Sequence, residues 1–432
     1  MRGIKSIFIL LIAVILACAL ILQACAPTAS PVQPQAKPTV VNIISLVDFT
    51  GPYASVIGPY RLGAKDCQEY INENGGIAGV PMNVECADTE GKPQNVMPQY
   101  SRLIAMNPKP LLIGGMDTQV GQTLHDRLIE DDIIGLGVSP DSIYPYGNTI
   151  GLYAAYSSYF GQFIDYALAK WKAAGKTGKP KLATFAWDIP FGHSFLNAAS
   201  RSYIQDKVEL VGEYYYPTNT MDVTPYVAEA KSKGADLTYN SVSLTAAVVQ
   251  AKAMKEQGFK PFLAGDFEID WVICALAGDA VEGWVGPHFT PTWSDMDTNP
   301  GVKLINDYFV KFKHDPKKDR GGYYFTGWQS SLACKRVLED TVARVGWEKL
   351  SAKEVKKTAM TYTKSFPLKV ADSTIGYWGG FSETEYLSNM GRMYEVKKDP
   401  KALLGPLGVF PAGDWTQLTQ LVTDKMKQTG RD

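Results

Sequence analysis

Nine residues stand where an apolar run breaks into a loop, and their side chains suit gripping a small molecule more than breaking a bond. They are Tyr53, Asp117, Thr118, Ser139 and Asp141, and further along Phe191, Ser241, Asp266 and Glu268. Hydroxyls and carboxylates at such positions can orient a ligand, and an aromatic ring can stack on it. Thr118 opens a predicted helix, so its hydroxyl and the free backbone N–H groups there could take an anionic group, or Thr118 could simply cap the helix. Catalysis would need a nucleophile with its base, or a metal cluster. The four histidines, His125, His193, His288 and His314, are scattered without paired spacing, and no G-x-S-x-G, P-loop or G-x-G-x-x-G follows a strand. The expectation is a binding protein rather than an enzyme, with no cofactor and no metal.

The N-terminus holds a further reactive group. Arg2 and Lys5 precede an unbroken apolar run from Ile7 to Leu22, followed by Gln23, Ala24 and Cys25. A basic start, an apolar middle and a small residue before the break make a secretory signal. The run is too short to span a bilayer, which needs roughly 20 residues. Leu22, Ala24 and Cys25 resemble a bacterial lipobox, in which the cysteine is acylated after the signal is removed. Gln23 departs from that pattern, which leaves ordinary cleavage or an uncleaved anchor as alternatives. Residues 26–39, APTASPVQPQAKPT, carry four prolines and no periodic apolar pattern, the composition of an extended spacer. The expected location is a bacterial cell envelope, on its periplasmic or extracellular side, with a lipid in the membrane.

Beyond signal and tether about 390 residues remain, enough for two lobes with cores of their own. Lys and Arg number 43 against 44 Asp and Glu, so there is no basic footprint for nucleic acid. Nine Trp, 23 Tyr and 17 Phe supply a core and could also line a pocket for an organic ligand. Once Cys18 leaves with the signal and Cys25 takes lipid, Cys67, Cys86, Cys274 and Cys334 remain, with no C-x-x-C among them. Cys67 and Cys86 could pair, since the first helix and second strand should touch; isolated thiols are the alternative.

The elements that must position these groups alternate. VVNIISLVDF predicts a strand, Arg61 to Asn74 a helix, PMNVECAD a strand, Val96 to Met106 a helix, KPLLIGGMD a strand, Thr118 to Ile129 a helix and IIGLGVSP a strand. After a break near residues 150–159 the rotation restarts with KLATFAWD, a helix from Gly192 to Lys207, VELVGEYYYP, a helix from Val223 to Lys233, ADLTYNSVS, a helix from Thr245 to Gln257 and KPFLAGD. Helices over 299–313 and 327–345 should return to cover the first half. Strict rotation implies α/β architecture: two doubly wound parallel-sheet lobes joined by a hinge of several strands. Ligands bind beyond the carboxyl ends of such strands, where the nine residues fall.

The order of these motifs resembles the type I periplasmic binding proteins, in particular the Leu/Ile/Val-binding and amide- or urea-binding branch, over roughly residues 40–415. The matching segments are Thr50-Gly51-Pro52, the run Ile71 to Gly79 (INENGGIAG), Asp88-Thr89, Ile113-Gly114-Gly115 and Val138-Ser139-Pro140. In the second half they are Asp188 to Gly192, Tyr216-Pro217 through Asp222-Val223-Thr224, and Lys260-Pro261 through Gly265. The resemblance implies a substrate-binding component of an ABC importer, monomeric, partnered by a permease and ATPase complex, closing on an amino acid or related compound. The same body serving a membrane receptor as a sensor, or taking an amide, urea or aromatic acid, is the alternative. It divides the chain into a signal (1–24), a tether (25–39), a first lobe (40–155 plus about 288–370) and a second (156–287 plus about 371–432). In the amino-acid binders the Thr118 and Ser139 loops would hold the α-carboxylate and α-ammonium, with Asp266 or Glu268 completing the ammonium contact. Asp117 and Asp141 depart from that pattern, because a carboxylate aimed into the cleft repels a ligand carboxylate. If they point inward, a cationic, amide-like or polyhydroxylated ligand is expected.

Overall fold

The first strand, β1 (Val41–Val47), shows why this chain builds layers. Ile43 and Val47 face one way and Ile44 and Leu46 the other, and all four are buried. A strand apolar on both faces needs cover on both. In the computed structural model, which describes residues 37–137, 147–267, 269–381, 389–402, 405–419 and 421, that cover is helical. β2 (Met82–Asp88), β3 (Leu112–Met116), β4 (Ile134–Gly137) and β5 (Thr149–Gly151) join β1 in the order β2-β1-β3-β4-β5, parallel throughout. On one face lie α1 (Ala54–Glu73) and a helix from late in the chain. On the other, α2 (Pro93–Ile104) and α3 (Thr118–Glu130) pack Val96, Tyr100, Leu103, Leu124 and Leu128 against Ile44 and Leu46.

The second half repeats the plan. α4 (Tyr156–Ala173), β6 (Lys181–Trp187), α5 (Pro190–Ser194), α6 (Ala198–Ile204), β7 (Glu209–Tyr216), α7 (Thr224–Ser232), β8 (Leu237–Ser241), α8 (Leu244–Glu256), β9 (Leu263–Asp266), α9 (Trp271–Ala277) and β10 (Val285–His288) follow in turn. Their strands run β7-β6-β8-β9-β10, the order of the first sheet displaced by five, and all are parallel. The chain then goes back to the first half with α10 (Pro300–Lys311), α11 (Tyr323–Val345), α12 (Ala352–Ala359) and the hairpin β11 (Ser365–Val370) and β12 (Ser373–Gly379). Finally β13 (Met390–Lys398) and β14 (Leu407–Pro411) extend the second sheet antiparallel beyond β10, with β15 (Thr416–Gln417) on β13. The division expected near residues 370–371 falls at the hairpin turn, and both hairpin strands contact α10 and α11.

Among the described residues two stretches pass between the halves, 152–155 and 289–292, and they lie together, with Tyr153 stacked on Phe289. The Gln329 amide on α11 donates to the Phe289 carbonyl at 2.9 Å and to that of Ile375 at 2.6 Å, while Tyr394 on β13 donates to the Thr290 carbonyl at 2.8 Å. The crossing is thus tied to both halves.

Two helices differ from their predicted form. α1 begins at Ala54 rather than Arg61, because the loop before it is wound on a carboxylate: Asp48 accepts from the N–H groups of Gly51 at 2.5 Å and Tyr53 at 2.9 Å. The helix predicted over 192–207 is two short ones, since Asn197 caps a new start by accepting from Ser200 N–H at 3.0 Å. Cys67 and Cys86 are not bridged; both are thiols, and Cys67 lies against the Trp328 carbonyl of α11 instead. Among the described residues no helix is long and apolar enough to cross a membrane. Cys25 and the tether as far as residue 36 lie outside the described residues.

Candidate functional site

The carboxyl ends of both sheets open on one cleft of about 350 Å³, at the lower end of the range for small-molecule sites. The first half supplies Tyr53, Ile57, Asp117 and Thr118, and the second supplies Tyr156, Ile189, Phe191 and Thr218; Tyr323, the first residue of α11, closes one side. Each sits there for a local reason. Asp48 follows β1 and Asp88 ends β2, and the two hold the 49–53 loop: Asp88 accepts from Phe49 N–H at 3.1 Å and the Thr50 hydroxyl at 2.5 Å. That places Tyr53 edge-on to Trp187 of the opposite sheet, 5.6 Å between centroids. Gly192 lets α5 press onto the end of β6, where an added Cβ would collide with the Trp187 carbonyl. Phe191 is thereby fixed edge-on to Tyr156 at 5.2 Å, and Tyr156 is edge-on to Phe267 at 4.7 Å.

Asp117 is the cap of α3, a role the sequence had offered to Thr118. Its carboxylate accepts from Val120 N–H at 2.8 Å. Burial pushes its carboxyl up to about 6, Val120 N–H pulls the other way, and the charge of Asp48 adds to the rise. Asp117 is the only ionisable acid or base besides tyrosine among the described lining residues.

Four of the nine expected residues, Tyr53, Asp117, Thr118 and Phe191, therefore line one cleft. Ser241 and Asp266 do not line it: both are buried at the ends of β8 and β9, and the charge of Asp266 is felt by the Tyr216 and Tyr239 hydroxyls beneath. Ser139, Asp141 and Glu268 lie outside the described residues. Tyr156 and Thr218 were reachable from sequence, as they follow the expected break and the end of a predicted strand. Ile57 and Tyr323 were not, because they arrive from helices whose start or return path only packing sets; Gln122 lies one turn into α3, where the sequence placed the helix but not the side of it that faces the cleft.

A second junction lies beside the cleft. Asp270 caps α9 by accepting from Val272 N–H at 2.6 Å and also accepts from Gly322 N–H, at the start of α11, at 2.9 Å. One carboxylate thus joins helix starts from both halves. Burial raises it to about 6, against the hydrogen bonds it receives. His288, buried and lowered by that burial to about 4, also lies close to Gly322.

Two sheets of identical strand order facing across a lined cleft can be compared with known proteins. Residues 40–387 match the family model described as periplasmic binding protein. The chain belongs to that family. A Leu/Ile/Val-binding protein homolog 7 from Brucella abortus (strain 2308) is 25% identical over 347 residues, covering 76% of this chain and 85% of its own. Among solved structures, a branched-chain amino acid ABC transporter protein from Thermus thermophilus with bound valine superposes with a TM-score of 0.73 at 16% identity, over 88% of this chain and 97% of that one. A fatty acid ABC transporter substrate-binding protein from Thermomonospora curvata gives 0.74 at 16% identity, over 92% and 98%. A solute-binding protein from R. palustris in complex with 4-hydroxybenzoate gives 0.69 at 15% identity, over 89% and 98%. Periplasmic binding proteins of this kind bind substrates rather than transform them, and membership implies an extracytoplasmic location.

Proposed function

We propose that this chain is the extracytoplasmic substrate-binding component of an ABC importer, taking a small organic ligand between two lobes that close about the 152–155 and 289–292 crossing. The first lobe carries the β2-β1-β3-β4-β5 sheet and the second the sheet built on β6. The observation that carries the reading is a cleft lined from both halves at the carboxyl ends of their strands. Closure excludes water and strengthens every polar contact made inside. The rings of Tyr53, Tyr156, Phe191 and Tyr323 favour a ligand with a ring or a branched apolar body. The signal and Pro-rich segment support a lipid anchor at Cys25, and the family supports delivery to a permease and ATPase complex, with the binding protein acting as a monomer.

A ligand that binds the folded form raises the melting temperature by mass action. A screen of amino acids, amides, amines and aromatic acids should therefore contain compounds that shift the melt, and Thr118→Ala and Phe191→Ala should each reduce the shift while the free proteins stay folded. A screen in which nothing shifts the melt sinks the cleft reading; a shift untouched by both variants moves the site elsewhere.

A further inference from the structure

The cleft has an uneven chemistry. Its walls are rings and aliphatic side chains, its polar side chains besides tyrosine are Asp117, Thr118, Gln119 and Gln122 from the first half and Thr218 from the second, and no Lys, Arg or His is among its described lining residues. A ligand carboxylate would need either a cation or a helix start with free N–H groups. Several long helices begin at the cleft wall, α1 after Tyr53, α3 after Asp117 and α11 at Tyr323 among them, but α3 is the one that carries Asp117, Thr118, Gln119 and Gln122, and the chain has already placed its own carboxylate on its start: Asp117 accepts from Val120 N–H at 2.8 Å. A second carboxylate brought to this corner would meet the charge of Asp117, with Asp48 behind it. A cation would meet the reverse, an acid at one end and, along the wall, the rings of Tyr53, Tyr156, Phe191 and Tyr323.

We infer that the ligand is a protonated amine on a ring-bearing or branched apolar body, with its ammonium at Asp117 and no carboxylate. The inference rests on the cleft-binding reading and departs from what the solved neighbours carry, since valine and 4-hydroxybenzoate each present a carboxylate. The division of labour is simple: the aromatic wall takes the body, and Asp117 takes the charge.

Three compounds of one shape separate the possibilities: phenethylamine, 3-phenylpropanoate and phenylalanine, measured by melting shift and calorimetry on the whole mature chain. Phenethylamine should bind at neutral pH and the other two should bind at least about tenfold more weakly. Asp117→Asn, which can still cap α3, should weaken phenethylamine about ten- to hundredfold, and Asp117→Ser serves as a second capping variant should Asn fold poorly. Amine binding should also weaken as pH falls below about 6, because the proton competes for the same carboxylate. The titratable groups around Asp117 are Asp48 and the hydroxyls of Tyr53, Tyr156 and Tyr323, so no second base at the described wall mimics that profile. Tighter binding of phenylpropanoate or phenylalanine, or amine binding indifferent to both Asp117 variants, overturns the inference and leaves the cleft reading intact. If no compound here or in the broader screen shifts the melt, both fall.

Discussion

Asp117 carries a cost that its neighbours explain. An aspartate with an ordinary value of 3.8 that rises to about 6 in the folded chain binds its proton more tightly folded than unfolded. Below both values the two states are equally protonated; above about 6 the folded state must hold a charge that burial disfavours. Stability from this group is therefore lost as pH rises through that window. At about 1.4 kcal/mol per pKa unit, and with the side chain half-buried and partly screened, a penalty of about 1–2 kcal/mol is reasonable. Asp117→Asn should melt a few degrees above the wild type at neutral pH, and the difference should shrink as pH falls and vanish at about pH 3, below both values, as differential scanning calorimetry at the two ends would show. A variant that gains stability and loses binding is the usual mark of a group kept for function. No gain at neutral pH would mean that the carboxylate stabilises α3 more than burial opposes it.

The elements meet most closely where α1 crosses α11. A Cβ added at Gly63 would run into the Tyr324 carbonyl, and one at Gly327 into that of Tyr60. Two backbones pressed together across two glycines leave no side chain that could move aside, so Gly327→Ala must separate the helices. Overpacking of this kind costs about 3 kcal/mol, to be read from the midpoint of denaturant unfolding. Since α11 starts at Tyr323 in the cleft wall, ligand affinity should fall as well; an unchanged midpoint would show that the helices have slack. Only packing reveals this crossing. Gly63 and Gly327 stand among ordinary helix formers in sequence, and their pairing across the chain is legible only once the late helix has returned.

For the whole molecule, the junction at Asp270 decides how readily the halves part. Its carboxylate accepts from Val272 N–H on its own side and Gly322 N–H on the other. In Asp270→Asn one amide oxygen can still cap α9, but the amide nitrogen would face the Gly322 N–H, donor against donor. The variant should keep its helix and lose the link. With fluorophores on the two halves, the ligand-free variant should spend several-fold less time closed than the wild type, a shift of about 1 kcal/mol; an identical distance distribution would show that the link does not hold the halves together.

Residue order alone determined a good deal here. Alternating β-branched runs and amphipathic stretches led to two parallel-sheet halves, because a strand buried on both faces has to be apolar throughout and its crossover helix on one face only. From that pattern it followed that the strand ends are where Tyr53, Asp117, Thr118 and Phe191 could act, and they share one cleft. What sequence order could not settle was depth and pairing. Ser241 and Asp266 also end strands, yet they are buried, because period-two alternation says which face a residue takes and not how much is stacked above it. Cys67 and Cys86 sit on touching elements, yet Cys67 lies against α11. The Pro-rich stretch after Cys25 is a property of the sequence itself, and the lipid anchor proposed at Cys25 rests on that sequence alone. Whether Asp117 turns its carboxylate onto its own helix, and so what the cleft has left to offer a ligand, was decided only when β3, α3 and the opposite sheet came together.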